Sequence, residues 1–207
     1  MENDRPTLEI IYDNWTNESN KRGFHIIDNF FNIMVNYIVC LAHFCELHGP
    51  LTIFCTQTSD SKDDAKEFEL PTSLKLQTCA SCKLQLPNDA VNVSLKDETT
   101  DRVFVSTQYP SHQQRYTALT KLAMKSLSVE TTSDILKAMF FGDAVNGYCI
   151  NKIFKISDVH ARGAERKYAV MLVGDSELHL LSHWDVISMY MAELILLVQA
   201  QVAQKQE

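Results

Sequence analysis

Three groups of side chains could do chemistry in this chain. The first is Arg162, in the run Ser157-Asp158-Val159-His160-Ala161-Arg162-Gly163-Ala164-Glu165-Arg166. Ala and Gly on either side leave the guanidinium free to reach outward. A planar, permanently charged fork of donors can stabilise charge building on phosphate oxygens; a solvated loop arginine or an ion pair with a partner is the plainer reading. The second group is Cys79-Ala80-Ser81-Cys82, half of a zinc site. A structural site wants four ligands, and no second CxxC is present. His43, Cys45 and His48 are candidates for the missing ligands, but the sequence does not give their distance from the pair. The expectation is therefore that zinc is absent or substoichiometric and that the pair is inert. The third group is Cys45 with His43 or His48, a possible thiol nucleophile and base. Strand alternation puts residues 43 and 45 on one face, yet no oxyanion-hole signature accompanies them, so Cys45 reads as a buried strand cysteine. His179 and His183 carry no motif.

The elements that must position these residues follow from pattern. His43-Phe44-Cys45-Glu46-Leu47-His48-Gly49-Pro50 is a strand end, a turn and a strand start. Residues 36–44 and 51–56 are apolar and β-branched, and Gly-Pro between such runs signals a turn. A first hairpin is expected at about 36–57. The stretch 58–100 has no clean period and reads as a flexible insertion. A short strand follows at 102–107. Ser111 is placed to cap a helix within 111–128, whose Tyr116, Leu119, Leu122, Ala123 and Leu127 recur at three and four. Strands at 137–141 and 148–156 are joined by Gly142 to Gly147. A further strand at 167–173 turns at Gly174-Asp175-Ser176 into 177–181. A long helix runs from Trp184 to about Gln204, with apolar positions 184, 187, 191, 194, 195, 198 and 202. Residues 1–34 form an N-terminal extension that ends in a helix-like apolar pattern at 26, 27, 30, 31 and 34. The expected fold is α/β: an antiparallel sheet of about five strands sandwiched by helices, over residues 35–207.

Composition narrows the function classes. The chain has 207 residues, 45% of them hydrophobic, and a formal net charge of −7. That charge argues against nonspecific nucleic-acid binding, which needs a basic face. Four of the six cysteines lie in strand-like runs, a usage that suits reduced thiols in the cytosol. No basic and apolar leader opens the sequence. The apolar run 189–198 is interrupted by Glu193 and is too short to cross a bilayer.

The hairpin block resembles the N-terminal longin domain of the folliculin family, as do Thr52–Thr56 and Cys79-Ala80-Ser81-Cys82. Further blocks match in order and spacing. These are Pro110-Ser111-His112, Lys125-Ser126-Leu127-Ser128, Phe140-Phe141-Gly142-Asp143, Asp158 with Ala161-Arg162-Gly163 and Tyr168, and Ser182-His183-Trp184. The chain is similar to the short fungal members that consist essentially of the longin half, without a DENN-type half. The resemblance implies a longin domain in a heterodimer with a folliculin-interacting-type longin–DENN protein. It implies that the pair activates GTP hydrolysis by a Rag-type small GTPase in amino-acid signalling to the target-of-rapamycin complex. Arg162 would then be an arginine finger supplied in trans, with no cofactor of its own. The chain would not itself be an enzyme. It would be cytoplasmic and recruited to the vacuolar or lysosomal membrane surface through its partners. A non-catalytic longin scaffold for GTPase docking or amino-acid permease trafficking is the alternative, and nucleotide exchange by analogy with DENN proteins ranks below it. The family's longin pairs are expected to join through an edge strand and neighbouring helix, at 111–128 or at the first hairpin.

Overall fold

The computed structural model describes residues 37–73, 79, 82, 90–97, 102–128, 137–158 and 161–206. The expected N-terminal extension, 1–34, lies outside them. Seven strands form one antiparallel sheet: β1 (Ile38–Cys45), β2 (Gly49–Ser59), β3 (Asn92–Lys96), β4 (Val103–Thr107), β5 (Met139–Asp143), β6 (Gly147–Ser157) and β7 (Glu165–Gly174). Their spatial order is β3-β4-β2-β1-β7-β6-β5. The helices are α1 (Lys62–Ala65), α2 (Gln113–Leu127), α3 (Glu177–Ser182) and α4 (Trp184–Gln206). This is the α/β architecture expected of a longin domain.

The central strands are apolar on both faces because both faces are covered. Ile38, Cys40 and Ala42 of β1 pack with Leu119, Leu122, Ala123 and Leu127 of α2. Tyr37, Val39 and Leu41 point the other way, into a core with Ile187, Met191, Ile195, Val198 and Val202 of α4. The same period-two split runs through β6 and β7, with Ile153 and Met171 facing α2 and Phe154 and Leu172 facing α4. Burial of each such Leu or Ile stabilises the fold by roughly 1.5–3 kcal/mol, so helix spacing and strand alternation select the same packing.

Several expectations need correction. Among the described residues the sheet has seven strands, not about five. The expected strands at the first hairpin, 102–107, 137–141, 148–156 and 167–173 are β1, β2, β4, β5, β6 and β7, and β3 is the strand that was not expected, at the edge beyond β4. Both β3 and α1 come from the stretch 58–100, so that stretch is not wholly an insertion. The Val93–Leu95 signal is short, and β3 is half-exposed at an edge, which blurs its alternation. The segment at 177–181 is not a continuing strand but α3. Ser176 accepts the His179 N–H with its side chain, and Glu177 sits in the first turn, where helix dipole and carboxylate attract. Ser111 does not cap α2. Its hydroxyl donates to the Glu67 carbonyl at 2.5 Å, and His112 occupies the cap position. The apolar stretch of α4 covers residues 184–204 at a mean hydropathy of 1.6, long and apolar enough to cross a membrane by length and composition. Here one stripe of that helix lies on the sheet. Finally, the first hairpin occupies the middle of the sheet, so neither of its strands offers an edge; the edges are β3 and β5.

Candidate functional site

One end of the sheet gathers the chemistry-bearing residues. β1 runs between β2 and β7, so its C-terminal end and the β1–β2 turn sit beside the start of β7, with His43 opposite Tyr168. Cys45 pairs with Gly49 across a three-residue loop, Glu46-Leu47-His48. Gly49 has φ +75°, the left-handed conformation that closes such loops and that a side chain would disfavour.

Arg162 opens a single 3₁₀ turn, Arg162–Ala164, between β6 and β7. Gly163 at φ +79° and Ala164 at φ +57° bend the chain back towards the sheet. The turn is tied at its base. The Asp158 N–H donates to the Ala164 carbonyl at 3.0 Å, and the Ala164 N–H to the Ala161 carbonyl at 2.9 Å. The Arg166 guanidinium donates to the Asp158 carboxylate in a largely buried pair. The apex is fixed by a residue far away in sequence, because the backbone N–H of Arg162 donates to Oε1 of Glu46 at 2.7 Å. Arg162 itself is exposed, and its guanidinium has no ion-pair partner among the described residues. The backbone of the turn is thus held while the charged head stays available. Glu46 is a site residue that sequence reasoning missed: it stands 116 positions away, and only the sheet order makes the two turns neighbours.

Beside Glu46, Cys45, His48, Cys79 and Cys82 bring one ligand atom each to within 4.8 Å of one another. Cys45 Sγ lies 3.7 Å from both His48 Nδ1 and Cys79 Sγ. Cys82 Sγ lies 3.4 Å from His48 Nδ1 and 3.3 Å from Cys79 Sγ. Burial, then hydrogen bonding to Cys45 and Cys79, pushes the Cys82 thiol well up. The missing partners of the CxxC are therefore present after all. The first hairpin supplies them, and their distance was the quantity the sequence left open. Other cysteines play no part. Burial raises Cys55 to about 12 and raises Cys40 and Cys149 as well, so all three remain neutral thiols in the α2-facing core. None of the six cysteines is in a disulfide.

His43 does not join Cys45 as a base. Its ring is fully buried and stacked on Tyr168, with centroids 5.8 Å apart, and neither ring nitrogen has a hydrogen-bond partner among the described residues. Burial, with Arg166 and His48 adding to it, lowers its pKa to about 4. It is a neutral packing residue under the site. His179 and His183 lie on α3 and just after it, the former bonded to the Tyr37 hydroxyl, and belong to the α4 side of the fold.

Comparison with known proteins supports the sequence resemblance. The sequence model of the folliculin family, described as "Vesicle coat protein involved in Golgi to plasma membrane transport", matches residues 102–207. Protein LST7 of Saccharomyces cerevisiae is 34% identical over 161 residues, covering 74% of this chain and 65% of that protein. Mouse folliculin is 28% identical over 187 residues, covering 72% of this chain. The chain spans about a third (32%) of mouse folliculin's length. Folliculin-like protein bhd1 of Schizosaccharomyces pombe is 25% identical, covering 74% of this chain and 66% of that protein.

Proposed function

The chain belongs to the folliculin family, and on that premise we propose that it is a longin subunit of a GTPase-activating complex. In this reading it pairs with a folliculin-interacting-type longin–DENN protein and stimulates GTP hydrolysis by a Rag-type small GTPase in amino-acid signalling to the target-of-rapamycin complex. The GTPase holds nucleotide and Mg²⁺ and positions the attacking water. This chain adds Arg162 in trans, where its charge neutralises the transferring phosphoryl oxygens. The chain is cytoplasmic in this reading and reaches the vacuolar or lysosomal membrane surface through its partners.

The observation that carries the proposal is the Arg162 turn. Its backbone is pinned by Glu46 and its base by the Asp158–Arg166 pair, while the guanidinium is exposed. Positioning a charge without burying it is what a finger acting in trans requires, because the cost of ordering the loop is met before the encounter. The test is single-turnover GTP hydrolysis by purified Rag-type GTPases with this chain and its partner. Arg162→Ala should lose the stimulation, typically ~10³–10⁵-fold for such an arginine, while still assembling with the partner. Arg162→Lys should fail too, since an ammonium lacks the planar fork. Full stimulation by Arg162→Ala would replace this reading with the scaffold. One observation favours that second reading: Leu178, Leu181, Met189 and Leu196 on α3 and α4 are exposed, leaving apolar surface outside the core.

A further inference from the structure

We propose that Cys45, His48, Cys79 and Cys82 hold a structural zinc ion that fastens the Cys79–Cys82 segment to the β1–β2 turn. The ligand atoms all lie within 4.8 Å of one another, and four of the six separations approach the edges of a coordination tetrahedron. With Zn–S near 2.3 Å and Zn–N near 2.0 Å, tetrahedral angles set sulfur–sulfur edges of about 3.8 Å and sulfur–nitrogen edges of about 3.5 Å. The sulfur–sulfur separations here are 3.7 and 3.3 Å, and the sulfur–nitrogen separations 3.7 and 3.4 Å. Hydrogen bonding does not account for such a gathering, because thiols are weak donors and weak acceptors.

The donor set selects the metal. Three sulfurs and one imidazole nitrogen are soft and borderline ligands, which disfavours Mg²⁺ and Ca²⁺. An iron–sulfur cluster held in the usual way would take four cysteines. Zn²⁺ suits a Cys₃His tetrahedron, and with all four positions filled by protein the site is structural rather than catalytic. On binding, the three thiols give their protons to solvent and His48 offers the Nδ1 lone pair, leaving the centre with one net negative charge. Surrounding contacts fit that charge. The Leu47 N–H donates to Cys45 Sγ at 3.4 Å, as an outer-shell donor to a metal-bound thiolate would. Cys82 is held further by its own N–H on the Cys79 carbonyl at 3.0 Å and by Gln108, which donates to the Cys82 carbonyl at 3.4 Å. Cys45 and Cys82 are buried, which shields the Zn–S bonds from water. The ion also braces the turn that carries Glu46.

The experiment measures zinc in the full-length chain purified without chelators, by elemental analysis and native mass spectrometry. The expected result is about one zinc per chain, lost in Cys79→Ser/Cys82→Ser and kept in Cys55→Ala, whose thiol lies elsewhere in the core. Because the double variant could fail to fold, cobalt replacement supplies a second reading. Co²⁺ bound by the wild-type chain should show the intense visible bands of a tetrahedral thiolate site, and His48→Cys should retain the metal with those bands shifted to the red by the fourth sulfur. Zinc in the wild type no higher than in the double variant would overturn the proposal. So would a Cys79–Cys82 disulfide in the purified protein, or a cobalt spectrum unchanged in His48→Cys.

Discussion

His43 offers a pH dependence whose size can be worked from the structure. Its ordinary pKa of 6.5 falls to about 4 in the fold, mainly because the ring is buried without a partner for either nitrogen, and further because Arg166 and His48 are near. Above pH 6.5 the imidazole is neutral in both folded and unfolded chains, and its contribution is constant. Between 6.5 and 4 the unfolded chain takes up a proton that the folded chain refuses. Stability therefore falls with falling pH, by about 1.4 kcal/mol per unit. Below 4 both states are protonated, and the loss levels off at about 3 kcal/mol. A phenyl ring can replace the imidazole without orphaning a hydrogen bond, so His43→Phe should stay within about 1 kcal/mol of wild type at pH 7. It should then be the more stable protein at pH 4, by about 3 kcal/mol. Urea unfolding of both proteins at half-unit steps from pH 7.5 to about pH 3.5 gives the difference curve, and subtraction removes titrations the two share. Parallel curves, or a His43 resonance titrating near its ordinary value, would refute the burial argument.

Three further outcomes follow from particular contacts. Glu46→Ala removes the acceptor of the Arg162 N–H; at an exposed site that bond is worth about 1 kcal/mol, so stimulated GTP hydrolysis should drop about fivefold, far less than in Arg162→Ala, and equal losses would mean that Glu46 does more than hold the turn. Gly142→Ala should cost about 2 kcal/mol or more, because its Cβ would meet the Gly147 carbonyl oxygen at 2.3 Å with φ at +144°; an unchanged melting temperature would show that the β5–β6 turn can rearrange. Lys121→Glu and Lys125→Glu, on α2 beside edge strand β5, should weaken partner binding in a pull-down more than Lys62→Glu and Lys66→Glu. Lys125 lies 5.2 Å over the Phe141 ring and Lys121 bonds Asn146, and equal effects would point away from the β5 edge.

Short-range information was enough for much of this fold. The α2 and α4 helices, the hairpin turn that closes at Gly49 and the β5–β6–β7 meander are written in periods of 3.6 and 2 and in residues that tolerate a turn's φ, all local properties of the chain. The loop between two strands that carries Arg162 was legible for the same reason: it lies between two strand-like runs that are contiguous with it in sequence. Three things needed the tertiary structure. Ser176 and Glu177 start a helix where an apolar run after a strand suggested another strand, because a cap bond outweighs weak propensity. Strand β3 is visible only through its pairing with β4, since an edge strand buries too little to need strict alternation. The joining of Glu46 to Arg162, and of Cys45 and His48 to Cys79 and Cys82, depends on β1 lying between β2 and β7. Strand order is a property of the whole sheet's packing, set by which apolar faces α2 and α4 can cover at once, and no local pattern in the sequence encodes a distance between residues that far apart.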